Sequence, residues 1–468
     1  MRTNKLFPCR PLLTLHRDQD GVLSILSVFA AMLLTLLLGM VMNVGRQVDG
    51  KLRTQNAADA AACSGAVVQA RAMNALAFTN HLLCEVFALT AILREGRDRN
   101  AESFVPRILA AWDTQPPEFA RSKFPKFLDL GKALQKKLPQ EQRLVTTYCQ
   151  WMAALSALQL PIFEEVLGQE LIPSYQRAVR QAFPALAKAA ADEVARRGGT
   201  PDFGRGPMRG TLWQLGSGDW ASPDIALPAA DPREDDACRE AARAQRLTWA
   251  NHYLRQWTDL QMTFFDRYAK LGRFGRLWRG FTCGQLQKLL AEYPDANLPV
   301  QVLDVPDDPG QRQAYLRQHF ALVGVVSWNK ISEFAPQLFQ NPAENDAVAY
   351  AEAQIFVPRP NLVFAHGHGS TGSEAERIGI GGVPGNFPPV SLPGQAPANP
   401  PGDDPQSPGP TARTVARQSA PVDWDLFNQH WSCQLTPAPG ADAAAVLHEV
   451  LPNLNGVSPE DIDRISWH

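Results

Sequence analysis

The 21 residues Val22–Met42 (VLSILSVFAAMLLTLLLGMVM) lie inside a stretch, Gly21–Gly45, that carries no charged side chain. As a helix rising about 1.5 Å per residue they reach roughly 30 Å, the hydrocarbon thickness of a bilayer. Leu23, Ile25, Leu26, Val28, Phe29, Met32, Leu33, Leu34, Leu36, Leu37 and Leu38 cover every face, whereas the buried helix of a soluble core is usually shorter or keeps a polar side. A single spanning helix is expected. A cleavable signal peptide has an apolar core of about 7 to 15 residues followed closely by small residues at a cut site. Here the core is longer, and the first alanine-rich candidate, around Ala60 to Ala62, lies well beyond it. The segment therefore reads as a retained signal-anchor. Arg2, Lys5, Arg10 and Arg17 precede it while Arg46, Lys51 and Arg53 come after it, a small positive-inside bias toward a cytoplasmic N-terminus.

A polar, alanine-rich run comes directly after the span. The order Asp20-Gly21, apolar span, Asn43-Val44-Gly45-Arg46, then Gln55-Asn56-Ala57-Ala58-Asp59-Ala60-Ala61 closing at Gly65-Ala66 resembles the N-terminal segment of TadE/TadG-like pilus assembly proteins, most nearly the TadG-like N-terminal domain. The resemblance covers roughly residues 17 to 70. It implies a bacterial inner-membrane protein with one span and an exported body, serving the tight-adherence (Flp-type) pilus machinery. Two departures limit the transfer. Relatives processed by prepilin peptidase carry a Glu five residues after the cleaved Gly, where this chain has Leu26. No Asp-x-Ser-x-Ser motif of a von Willebrand A domain occurs, so metal-dependent adhesion is not carried over.

The run also has a physical reading of its own. Alanine is the best helix former and leaves a thin surface, so Ala57, Ala58, Ala61, Ala62, Gly65 and Ala66 let another helix approach closely just beyond the bilayer. The alternative is an alanine-padded, solvated stalk. Gln55, Asn56 and Asp59 are grouped rather than spread as ion pairs, which favours packing. Gln55, Asn56, Ala57, Ala58, Asp59, Ala62 and Gly65 are the candidate partner contacts, to pilus assembly or secretion proteins, and oligomerisation is left open.

No proline occurs between Pro11 and Pro106, so one nearly continuous helix from about Gly21 to Leu93, roughly 110 Å long, is expected. Its distal part is apolar on most sides. Asn74, Asn80, His81 and Glu85 interrupt it, so burial in the body fits better than a second span. From Pro116 to Arg197 the prolines at 139, 161, 173 and 184 predict several short helices. A further helix is expected over about Asp235 to Leu271, with Leu247, Ala250, Leu254, Trp257, Leu260, Phe264, Tyr268 and Leu271 as its core stripe. Arginines cluster there, interleaved with acids, and read as an ordinary solvated face.

A short strand near Thr211 to Leu215 and short helices near Gly310 to Phe320 and Ser332 to Phe339 complete the middle of the chain. Ala349–Phe364 and Val422–Leu435 carry the aromatic and β-branched alternation of strands and suit a hairpin. Between them, residues 381–421 hold 11 prolines and 6 glycines in 41 positions, a composition that cannot assemble a core. Two small helices, Ala441–Leu451 and Pro459–Ser466, close the chain. The expected organisation is a tail at 1–20, the TadG-like anchor at 21–70, a helical body at 71–365, the Gly/Pro-rich insertion at 366–421, and a strand with short helices at 422–468. The fold class is mainly α with a small late β element.

With Lys plus Arg at 45 against Asp plus Glu at 47, net charge offers nothing for nucleic acid. An N-terminus inside leaves Cys9 in the reducing compartment and exports Cys63, Cys84, Cys149, Cys238, Cys283 and Cys433, compatible with up to three disulfides in any of 15 connectivities or with buried thiols. There is no His-Glu-x-x-His, Gly-x-Ser-x-Gly, Walker loop or Cys-x-x-Cys, and His366-Gly367-His368 lacks a third ligand, so no catalytic, cofactor or metal site is expected. The alternatives are a membrane-anchored enzyme or a scaffold unrelated to pili.

Overall fold

The computed structural model describes residues 19–98, 100–198, 206–215, 221–229, 236–269, 272–294, 308–328, 347–358, 426–438 and 440–450. The N-terminal tail, the expected helices at 332–339 and 459–466, His366–His368 and the Gly/Pro-rich insertion lie outside them. Helix α1, Gln19–Asp98, is one continuous rod of 80 residues, about 120 Å long. With no proline in it and alanines through its centre, nothing in the backbone interrupts it.

Two layers are organised on this rod. Helices α2 (Asn100–Asp113), α3 (Gln115–Ala120), α4 (Pro125–Gly168) and α5 (Leu171–Gly198) come after it, then strands β1 (Arg209–Leu215) and β2 (Ala221–Ser222). Next come α6 (Asp236–Ala269), α7 (Gly272–Glu292), α8 (Pro309–Phe320), β3 (Ala321–Trp328), β4 (Ala347–Phe356), β5 (Ser432–Thr436) and α9 (Gly440–Val450). The five strands form an antiparallel sheet in the order β2-β1-β3-β4-β5. The fold is mainly α with a small β element, as expected from the sequence.

The sheet is covered on both faces. Leu212, Leu322, Val326, Trp328, Ala349, Ala351 and Ala353 point to α1 and α5, while Leu215, Ala321, Val323 and Val325 pack with Ala445 and Val446 of α9. That double burial explains why β3 is a run of apolar residues with no polar alternation, typical of a central strand. β1 and α8 fall where expected, and β4 and β5 pair antiparallel from Glu352↔Thr436 to Phe356↔Ser432, so the two regions pair as a hairpin, but over shorter strands than Ala349–Phe364 and Val422–Leu435. Residues 426–431 are irregular, their backbone taken up by side chains of α1, and 359–364 and 422–425 lie outside the described residues.

On the sheet side of α1, small residues set the spacing. Ala57, Ala58, Ala61, Ala62 and Ala66 meet Ala187, Ala191 and Ala195 of α5 and the alanines of β4. A Cβ on Gly324 would stand 2.8 Å from the Ala62 backbone nitrogen and 2.9 Å from its Cα, and one on Gly65 would overlap Leu212 Cδ1. Beyond the sheet, Leu83–Leu93 of α1 enter a helical core with Val145, Tyr148 and Met152 of α4, Trp249, Tyr253 and Leu254 of α6, and Leu286 and Leu289 of α7.

Two expectations need correction. Prolines 139 and 161 do not divide the region into short helices: α4 runs 44 residues through both, and α5 passes through Pro184. An internal proline costs about 3 kcal/mol. Burial of Leu138 and Leu160, the residues just before the α4 prolines, offsets it, since each such side chain contributes about 1.5–3 kcal/mol. The stripe of α6 holds at Ala250, Leu254 and Trp257 but not throughout, and its Phe264, Tyr268 and Leu271 lie outside the described side chains. Leu247 and Leu260 are exposed, and the buried face runs through Ala242, Arg246, Trp249, Ala250, Tyr253 and Leu254. The helical period stands, but Arg246 belongs inside, where it donates to Tyr293 O at 2.7 Å and lies over the Phe87 ring at 5.4 Å.

Since the Ala62 backbone cannot move without displacing α1, Gly324→Val is expected to destabilise the full-length protein by roughly 1–3 kcal/mol, the usual cost of overpacking. Denaturant titration in detergent, comparing the midpoint with that of wild type, measures it.

Candidate interaction site on the long helix

The N-terminal end of α1 is bare. From Ser24 to Leu38 every described side chain is exposed, with Leu34 at 68% and Phe29 at 67%. Leaving such side chains in water costs on the order of 1.5–3 kcal/mol each, so this length demands an apolar surround. Among the described residues it is the one helix both long and apolar enough to cross a membrane. Its apolar zone ends at Gly45, and Arg53 pairs with Asp49 at 3.0 Å on the exposed surface.

Side-chain burial begins at Thr54. At the next residue the Gln55 amide nitrogen donates to Asp59 Oδ1 at 3.0 Å and to the Tyr350 carbonyl of β4 at 2.9 Å. Of the seven candidate contact residues, Asn56 is exposed, Gln55 and Asp59 are half-buried, and Ala57, Ala58, Ala62 and Gly65 are buried. The close approach read from the alanines is made inside the chain, against α5, β1 and β3. A Cβ on Gly198, the last residue of α5, would sit 3.1 Å from Ala57 Cβ.

Further along, α1 holds the returning chain. The Asn74 side chain acts as a peptide group toward Trp431, donating to its carbonyl at 3.0 Å and accepting from its N–H at 2.8 Å. Asn80 Nδ2 donates to Leu426 O at 3.0 Å, while Gln176 of α5 donates to Asn80 Oδ1 at 2.7 Å and to Thr79 Oγ1 at 2.9 Å. His81 Nε2 lies 2.7 Å from Phe427 O, and its Nδ1 lies 2.8 Å from Tyr253 Oη. The carbonyl accepts only, so the tautomer is assigned: Nε2–H donates to Phe427 and Nδ1 accepts from the tyrosine. Around this imidazole, Trp249 stacks on Phe427 with ring centroids 4.6 Å apart.

Two charged clusters brace the body at either end. Arg94 ties α1 to Glu164 of α4 at 2.8 Å and to Glu292 of α7, and its guanidinium holds the Glu292 carboxyl below the usual carboxylate range. Buried Glu352 of β4 accepts from Arg317 of α8 at 2.6–3.0 Å and from Thr436 at 3.1 Å. Burial pushes Glu352 up, the arginine opposing it. Both oxygens accept from Arg317 and lie in the fold's interior, so the carboxylate serves architecture. Among the described residues no three His, Cys, Asp or Glu side chains converge as a metal site.

Sequence reasoning located the anchor and the alanine run but missed the clasp on residues 426–431. Its signal was present: Asn74 and His81, two turns apart, recur on one face of an apolar stretch of helix. The missing half is that their acceptors are backbone carbonyls more than 340 positions away, which carry no side-chain signature.

Residues 21–70 match the family described as Flp pilus-assembly TadE/G-like, under the name Tad. The chain thus carries a TadE/G-like domain at its N-terminal end, spanning the bare anchor and the alanine stripe. No curated protein and no solved structure matches the chain.

Burial lowers His81 to about 4, with nearby His252 adding to the effect and the Phe427 bond opposing it. An unfolded histidine titrates near 6.5, so between these values the unfolded chain binds the extra proton. Stability from the neutral imidazole is full above about pH 6.5 and falls as pH drops toward 4, by on the order of 3 kcal/mol in total. Denaturant titrations across this range are expected to show that slope in wild type and a shallower one in His81→Gln, which keeps an N–H donor but does not titrate.

Proposed function

We propose that this protein is a single-pass, membrane-anchored structural component of a tight-adherence, Flp-type pilus assembly or secretion system. Its short N-terminal tail lies in the cytoplasm and its body outside the bacterial inner membrane. The observation that carries the reading is the continuity of α1: the TadE/G-like segment at 21–70 begins in the bare apolar helix and ends inside the folded core. Anchor and body therefore move as one rod, which suits a part that transmits position or load rather than one that turns over a substrate. The body acts without catalysis, through contacts with pilus assembly or secretion proteins.

Those contacts centre on the collar where α1 enters the body. Asn56 offers its whole side chain, and Gln55 and Asp59 offer their open edges. Ala57, Ala58, Ala62 and Gly65 contribute by holding the collar against α5 and the sheet, so a partner reads their placement rather than their surface.

Protease treatment of cells stripped of their outer layer is expected to digest the body while a cytoplasmic control survives. Protection that ends only on permeabilisation would put the body in the cytoplasm and overturn the reading. Asn56→Trp is expected to cut the surface-pilin signal several-fold in the sheared fraction of cells, with the thermal midpoint of the purified protein unchanged. Unaltered piliation would remove the collar from the partner interface.

A further inference from the structure

The clasp on α1 fixes more than a loop. Phe427 meets His81, Trp431 meets Asn74, and Cys433 Sγ lies 3.6 Å from Cys63 Sγ. The returning segment thus runs antiparallel to α1 over about five turns, with three cross-contacts in register, and the cysteine pair is the last of them. Cys433 sits in β5 opposite Ile355 of β4, and its thiol also approaches the Cys63 carbonyl at 3.8 Å. Both cysteines are half-buried, unlike Cys84, Cys149 and Cys238, which are buried.

We propose that Cys63 and Cys433 form a disulfide in the mature protein, closing a covalent bracket between the TadE/G-like segment and the C-terminal strand. This rests on the exported placement of the body, where disulfides persist. At 3.6 Å the sulfurs are in van der Waals contact, about 1.5 Å beyond the bond length of about 2.05 Å. The other elements are already held: Gln55 fixes α1 on β4, and the Asn74 clasp fixes the residue two before Cys433.

The oxidant is an exchangeable disulfide, R–S–S–R, of the dithiol–disulfide class. One cysteine loses its proton to solvent, and its thiolate attacks a sulfur of the oxidant, expelling RS⁻ and leaving a mixed disulfide. The second thiolate attacks the protein sulfur of that bond, expelling the second RS⁻ and forming Cys63–Cys433. Two electrons pass to the oxidant, which leaves as two thiols once each RS⁻ has taken up one of the two protons released. The bracket spans 370 positions of sequence, and a loop of this length removes much freedom from the unfolded chain. Its purpose is to secure β5, an edge strand that reaches the sheet only after a long excursion of chain.

The test uses the full-length protein. Cells are acid-quenched and alkylated, and peptides are mapped by mass spectrometry without reduction, with the protease-accessibility assay run on the same cells. A linked Cys63–Cys433 peptide is the expected result. Alkylated, unlinked cysteines in a body that protease reaches would overturn the disulfide while leaving the proposed function standing. Alkylated cysteines in a protected, cytoplasmic body would overturn both. In detergent, purified protein oxidised with glutathione disulfide is expected to unfold roughly 5–15 °C above the reduced form. Cys63→Ser and Cys433→Ser should each abolish that difference, and the double variant should behave like either single one. A shift that survives in the single variants, or no linked peptide after oxidation, would overturn the proposal.

Discussion

The close approach of α1 to the sheet and to α5 is the constraint on which the rest of the structure depends. Ala57, Ala58, Ala61, Ala62 and Ala66 face Ala187, Ala191 and Ala195 on one side and Gly324, Ala349, Ala351 and Ala353 on the other. Thin side chains on all three elements let the backbones come together, so dispersion contacts replace large-residue interdigitation. The arrangement tolerates little addition, because a single Cβ on Gly324 meets the Ala62 backbone rather than a movable side chain. It also makes the collar stiff, and stiffness at that point couples the apolar anchor to the body.

Polar groups take over where the small residues end. Asn74, Asn80 and His81 use the interior of α1 to satisfy backbone groups of residues 426–431, and buried polar groups must be satisfied. The neutral state of His81 belongs to this arrangement, since Nδ1 has to accept from Tyr253 while Nε2–H serves Phe427. Arg94 then joins α1 to α4 and α7, and Arg317 with Glu352 joins α8, β4 and, through Thr436 and Asp442, β5 and α9. The bonded groups lie far apart in sequence, so each contact specifies a long-range pairing rather than a local turn.

From its N-terminus to its C-terminus, α1 has three successive environments and one conformation. Its first segment is apolar and bare, its second is thin and packed against the sheet, and its third is broad and surrounded by helices. The TadE/G-like match covers the first and most of the second. Residues beyond 70 supply the rest of the body. The continuous helix is the physical link between the matched segment and the body.

Local chemistry determined a good part of this. An uncharged apolar run of span length, an alanine run after it and no proline as far as Pro106 specify α1, because propensity and periodicity are properties of neighbouring residues. The same logic located β1, β4, β5, α6, α8 and α9, and the burial of the Asn80 and His81 region. Only the tertiary structure decided the rest. Whether Pro139 and Pro161 break α4 depends on what Leu138 and Leu160 pack against. Whether Arg246 faces water or the core depends on the Tyr293 carbonyl and the Phe87 ring. The alanine stripe of α1 could not say whose helix it meets, since a thin surface is equally complementary to any other, and α5 fills it because the chain's own segment arrives at high effective concentration. The pairings of Asn74 with Trp431 and of Cys63 with Cys433 arise in the same way, from backbone brought together across more than 350 positions, a distance over which sequence pattern carries no geometry.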